Sequence, residues 1–170
     1  MNDKALIDRL AAGASRIRPL VEGITLEDAR WRPAPGKWSI LELLGHLVDE
    51  EREDFRARLE LMLTQPGVLG PPIDPEGWVR ERGHNQRDLQ ELLHAFEEER
   101  ARSVAWLRDL ATPAWGNIYE HPAFGTLHAG DILAAWVAHD LLHIRQLTHL
   151  HWQLLRGLAE PYGVGYAGKW

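Results

Sequence analysis

The chain contains no cysteine, only two Met, three Phe and three Tyr, and fewer basic than acidic side chains. Without cysteine there is no disulfide, no thiolate nucleophile and no Cys-based zinc site, a composition compatible with a reducing cytoplasm. No apolar run approaches the roughly 18 residues needed to span a bilayer. Nineteen Lys and Arg against 25 Asp and Glu leave a net charge of −6. Neutralising phosphates requires clustered Lys and Arg, so this balance argues against a nucleic-acid surface. The basic residues are scattered among acids, as in Glu50-Glu51-Arg52-Glu53-Asp54, which reads as a solvated helix face. The segment MNDKALIDRL is amphipathic and charged from residue 3, the pattern of a helix rather than a secretory signal. A cytoplasmic protein with neither nucleic acid nor membrane as partner is expected.

What the chain does have is Trp and His, eight and nine of them in 170 residues. Most Trp in a small helical protein are core or loop anchors. The length fits one domain, 1–170, able to bury a core without covalent staples. Four amphipathic stretches predict helices. The first covers Lys4 to Val21, with Leu6, Ile7, Leu10, Ala14, Ile17 and Val21 at helical spacing. The second starts at Ser39, whose partner Glu42 completes a capping box, and continues to about Thr64. The third covers Gln86 to Leu110 and the fourth runs from about Thr126–His128 to Arg156. Gln65–Gly83 is rich in Gly and Pro and reads as a long non-helical crossover. Ala111–Gly125 reads as irregular, with a short extended piece near Asn117–Tyr119. From Gly157 the chain reads as a loop or surface-docked tail. Four long helices and one long crossover make an all-α four-helix bundle the simplest packing solution.

In the run WVAHDLLHIRQL, His139 and His143 lie one helical turn apart. On a wheel they share a face with Ile132, Trp136, Gln146 and Leu150, so both imidazoles project inward. Chance alone places roughly half a His-x-x-x-His pair in such a composition, so the spacing by itself is weak. Location strengthens it, because two buried neighbouring imidazoles cannot both be charged cheaply and each needs partners for two nitrogens. A divalent metal satisfies one nitrogen of each; a hydrogen-bonded pair of core histidines is the alternative. A catalytic site takes three protein ligands and an open position. His46, at the edge of the second helix's apolar stripe, is the best-placed third ligand. Glu50 shares its face four residues on and could accept a hydrogen bond or shuttle a proton. Asp140 flanks the stripe and could orient a ligand, although a surface ion pair is the simpler role. Gln146 suits holding a water or substrate, Trp136 could line the pocket, and His128, in the fourth helix's first turn, could reach its mouth.

Two segments resemble the DinB/YfiT-like family of bacterial candidate metalloenzymes. They are Trp31-Arg-Pro-Ala-Pro-Gly-Lys-Trp-Ser-Ile-Leu-Glu-Leu-Leu-Gly-His46-Leu and Ala138-His139-Asp140-Leu-Leu-His143-Ile-Arg-Gln146. The resemblance spans essentially the whole chain. It implies a four-helix bundle of up-down-down-up order, often a homodimer, with one zinc or nickel ion on His46, His139 and His143. It further implies a metal-dependent transferase using a small thiol cosubstrate; a fourth position taken by water would instead give a metal-dependent hydrolase, and Glu50 or Gln146 would assist in either. A non-catalytic metal- or small-molecule-binding stress protein is the other reading, since fold does not fix function.

Overall fold

The computed structural model describes residues 1–68, 70 and 72–170. Four long helical segments form the bundle: α1 (Asp3–Ile17), the run from α3 (Ile40–Asp49) through a π-helical stretch (Glu50–Phe55) into α4 (Arg56–Thr64), α6 (Leu89–Asp109) and α7 (Ala129–Leu158). Short helices α2 (Leu26–Arg30) and α5 (Pro75–Glu81) lie in the connections. A two-stranded antiparallel hairpin, β1 (Ile118–His121) and β2 (Gly125–His128), leads into α7 with Ile118 opposite His128. No helix among the described residues is long and apolar enough to cross a membrane.

The expected helices are present, with local differences that have physical causes. Ser39 caps α3 by accepting from the Glu42 N–H, while the Glu42 carboxylate accepts from the Ser39 N–H, so this helix begins where its capping box places it. The Gln65–Gly83 connection is not wholly irregular. Asp74 caps α5, and Pro75 sits in the first turn, where its missing N–H costs nothing. Residues 69 and 71 of that connection lie outside the described residues. The extended piece near 117–119 has a partner strand, and Gly125, with φ of 71°, supplies the left-handed conformation that lets β2 start.

All ten residues of α3 are buried, so this helix is enclosed by the others rather than presenting one face to them. The apolar core falls into two clusters. One joins Ile17, Val21, the apolar residues of α3, Leu89 to Phe96, Leu147 and Leu150. The other joins Ile7, Leu10, Phe55, Leu59, Met62, Val104, Leu107, Ile132, Leu133 and Trp136. Between them every long helix contributes something other than a large apolar side chain: Gly13 from α1, Glu50 and Glu51 from the π turn, Arg100 and Ser103 from α6, and His139, Asp140 and His143 from α7. A polar layer therefore crosses the waist of the bundle.

Arg100 lies at the middle of this layer. Its guanidinium donates to both Asp140 oxygens at 2.6 and 2.7 Å, to Glu51 at 2.8 Å and to the Leu10 carbonyl at 2.8 Å. Glu51 also accepts from the Trp136 indole N–H and the Ser103 hydroxyl, each at 2.7 Å. The run Glu50–Asp54 is thus not the solvated face its composition suggests. Glu50, Glu51 and Asp54 point inward, and Arg52 is exposed. Burying the charges of Glu51 and Asp54 is tolerable only because each has a guanidinium partner. Gly13 makes room for the network, since a Cβ there would lie 1.9 Å from Asp140 Oδ2 and 2.6 Å from Arg100 Nη1. Gly13→Ala should therefore lower unfolding stability by at least about 2 kcal/mol, the scale of overpacking at a buried ion pair. Urea denaturation checks this. A loss under about 0.5 kcal/mol, the range of surface substitutions, would mean that the network tolerates displacement.

Candidate metal centre

His46 from α3 and His139 and His143 from α7 meet at the edge of the polar layer. Their Nε2 atoms converge: His46 to His139 is 3.4 Å, His46 to His143 is 3.2 Å and His139 to His143 is 2.9 Å. Imidazole–zinc bonds of about 2.0–2.1 Å in a tetrahedron place neighbouring nitrogens about 3.3 Å apart. The three imidazoles thus form a group able to hold a metal ion, and among the described residues no fourth His, Cys, Asp or Glu joins it. Hydrogen bonding among the rings is a poorer account. Three Nε2 atoms aimed at one point cannot all be satisfied by sharing protons, whereas one cation takes all three lone pairs.

Burial sets the protonation state. His46 and His143 are 5% and 8% exposed. Burial first, and then the charge His143 would carry, depress His46 to about 3 and His139 to about 2. His143 is lowered by burial as well, opposed by its hydrogen bond to Gln146. At neutral pH all three rings are uncharged, the form that binds metal. The outer nitrogens decide which way the lone pairs face. His143 Nδ1 lies 3.1 Å from Gln146 Oε1. An amide oxygen only accepts, so Nδ1 carries the proton and Nε2 presents its lone pair to the centre.

Glu50 stands behind His46. Its Oε1 is 3.6 Å from His46 Nδ1, longer than a hydrogen bond, and both atoms are buried with no other partner. Burial, reinforced by Asp54, with which it shares a hydrogen bond, raises the Glu50 carboxyl to about 8. A cation on the other side of His46 would favour ionised Glu50 and its acceptance of the Nδ1 proton. Around the centre, Glu50, Glu51, Asp54 and Asp140 are faced by Arg58 and Arg100.

Other sequence candidates lie elsewhere. Gln146 is engaged with His143, so its amide oxygen orients that ring rather than holding a water or substrate. Trp136 is enclosed in the core, with its N–H on Glu51 and its ring stacked on Phe55 at 5.6 Å, and lines no pocket mouth. His128 precedes α7 and is paired with Asp131; eleven residues of helix, about 16 Å, separate it from His139. Asp140 is in the buried Arg100 pair rather than on the surface. Composition did not single out Phe55 or Trp38, whose rings pack on His139 at 5.0 Å and His46 at 4.8 Å. Trp38 stands directly before the Ser39 cap, and Phe55 is one of only three Phe, which is the faint signal available.

A pH dependence follows for the metal-free protein. His46, His139 and His143 have folded pKa values below the unfolded value of about 6.5. Between those values the unfolded chain binds protons that the native one excludes. The contribution of these three rings should thus be full above about pH 6.5 and fall as pH drops toward the folded values, by up to about 1.4 kcal/mol per pH unit for each group, while Glu50, whose carboxyl is raised to about 8, offsets part of that slope over the same range. Urea denaturation at pH 7 and 5 should show the loss, and His143→Gln should show less of it. Equal losses in both proteins would contradict burial of neutral rings.

Residues 9–147 match the sequence profile of the DinB superfamily. No curated protein matches the chain. Among solved structures, YfiT from Bacillus subtilis is described as a probable metal-dependent hydrolase with an unusual four-helix bundle topology. It is similar over 89% of this chain and 87% of its own, with a TM-score of 0.80 and 22% sequence identity. At that identity the likeness establishes a shared fold. The profile covers most of the chain, and by it the chain belongs to the DinB superfamily.

Proposed function

We propose that this protein is a divalent-metal-dependent hydrolase, with zinc or nickel held by His46, His139 and His143. The observation that carries the reading is the convergence of three neutral Nε2 donors at close to tetrahedral spacing, with no fourth protein ligand among the described residues. A bound divalent cation would supply a Lewis acid able to acidify water at neutral pH. The chain's own residues set the conditions for this. Three uncharged ligands leave the cation its full positive charge. Gln146 holds the His143 tautomer, and Glu50 stands where it can hold that of His46. Phe55 and Trp38 cover the ligand rings and limit access of bulk water. The similarity to YfiT, itself described as a probable metal-dependent hydrolase, supports the same reading.

A second reading draws on the absence of cysteine. If the chain transfers a thiol, the sulfur must come from a small cosubstrate, and metal coordination deprotonates a thiol without help from a protein base.

The purified chain should bind about one equivalent of divalent metal, and His143→Ala should bind none while keeping its helical circular dichroism. Full metal content in that variant would overturn the ligand assignment. Gln146→Ala should weaken binding by about 10–100-fold, the usual cost of losing a partner to a metal-bound imidazole. Metal-loaded protein should hydrolyse members of an ester and amide panel, with the rate lost on chelation and in His143→Ala. Turnover that instead requires bacillithiol, mycothiol or glutathione with an electrophile would favour the thiol reading. No rate above the metal-stripped control in either panel would contradict catalysis.

A further inference from the structure

A cavity of about 350 Å³ opens beside the metal centre, between the π turn, the β1–β2 hairpin and the first turns of α7. Its apolar lining comes from Phe55, Ile73, Phe124, Leu127, Ile132 and Ala135. Its volume is at the small end of ligand pockets, which span about 300–1,000 Å³. Phe55 is the wall it shares with the centre, because the same ring packs on His139 at 5.0 Å. Ala135 precedes His139 by one turn on α7, about 6 Å along the helix. A group held in this cavity therefore lies across the Phe55 ring from the three-His site.

The charged groups at the cavity's edge already have hydrogen-bond partners within the chain. Asp54 pairs with Arg58 at 2.7 Å, and Asp131 accepts from the His128 backbone N–H at 2.8 Å and faces its ring at 3.1 Å. Seating a charged group here would break one of these pairs or bury a charge without compensation. Large apolar side chains nevertheless face water: Phe124 is 75% exposed and Ile73 37%. The hairpin also packs aromatic rings on one another, with His121 tilted against Phe124 at 4.8 Å and edge-on to Tyr119 at 5.9 Å. His121 Nδ1 accepts from the backbone N–H groups of Ala123 and Phe124 at 3.0 and 3.3 Å. That fixes the neutral tautomer with the proton on Nε2, a donor suited to a carbonyl or ether oxygen.

From these observations we propose that the cavity receives an uncharged aryl group of the substrate, clamped by Phe55 and Phe124, with the reacting bond toward the three-His centre. The proposal rests on the metal-dependent reading above for the position of that bond, while the aryl pocket itself is built from residues outside the ligand set. Its selectivity is for neutral aromatic groups over ionised ones of the same size.

Benzyl alcohol, benzoate and benzylammonium are suitable probes, titrated into the full chain with and without metal and followed by amide chemical shifts. In metal-stripped protein, benzyl alcohol should shift Leu127, Ile132 and Ala135 and bind at least about tenfold more tightly than either ion. Ala135→Trp, which fills the cavity from an exposed position, and Phe124→Ser, which removes an exposed wall, should each weaken benzyl alcohol at least several-fold. In cobalt-loaded protein the ring protons of bound benzyl alcohol should relax faster than in zinc-loaded protein. Shifts clustered elsewhere, tighter binding of an ion, or unchanged affinity in both variants would overturn the aryl pocket. Binding in the cavity without cobalt-enhanced relaxation would overturn its connection to the centre. Metal content, measured on the same samples, reports failure of the metal reading separately.

Discussion

The hold of Arg100 on Asp140 and Glu51 organises the molecule. Asp140 directly follows His139 on α7, and Glu51 directly follows Glu50 in the π turn. One guanidinium thus fixes the rotation of α7 against the α3–α4 run, and that rotation decides whether three Nε2 atoms meet. A rotation of one residue, about 100°, would carry His139 and His143 off the inward face altogether. The network is costly to bury and costly to break, since removing one partner strands the others in a low-dielectric layer. Its value here is in orientation: it gives α7 one acceptable setting.

The same layer explains why the site lies at the waist of the bundle rather than in a loop. Two apolar clusters grip the helices above and below, so the three imidazoles between them are held by rigid elements on both sides. Holding a ligand set to fractions of an ångström is what a metal centre demands of its scaffold. The π turn contributes by presenting Glu50, Glu51, Asp54 and Phe55 together. These four serve in turn the back of His46, Arg100, Arg58 and the ring of His139. Wide turns of this kind recur at functional sites, and here each inward side chain has an identifiable neighbour to serve.

Much of this was legible in the sequence, for identifiable reasons. The Ser39–Glu42 capping box located the start of α3, and the helical spacing of α7 placed His139 and His143 on its inward face. His46 looked peripheral because the wheel compares an apolar face with a polar one, and α3, buried all round, has no polar face to compare. The π turn escaped because one extra residue per turn over six residues leaves no mark on periodicity. Pro75 and Gly77 disguised α5, although Asp74 and a first-turn Pro are a legitimate helix start. The buried charges were the deepest omission, since Glu51, Arg100 and Asp140 are each surface types in isolation. A signal did exist. Between Leu10 and Ile17, Val48 and Phe55, Phe96 and Val104, and Trp136 and Leu147, no large apolar side chain is fully buried, and in a bundle those gaps align.

The central claim is that His46, His139 and His143 ligate one metal ion together. X-ray absorption on zinc-loaded protein tests it most directly. Three imidazole nitrogens at about 2.0–2.1 Å, with a further light-atom ligand and outer-ring scattering for three rings, is the predicted spectrum. Replacing His46 with Gln should remove one ring's contribution. A spectrum dominated by carboxylate oxygens, or one unchanged by that substitution, would contradict the account.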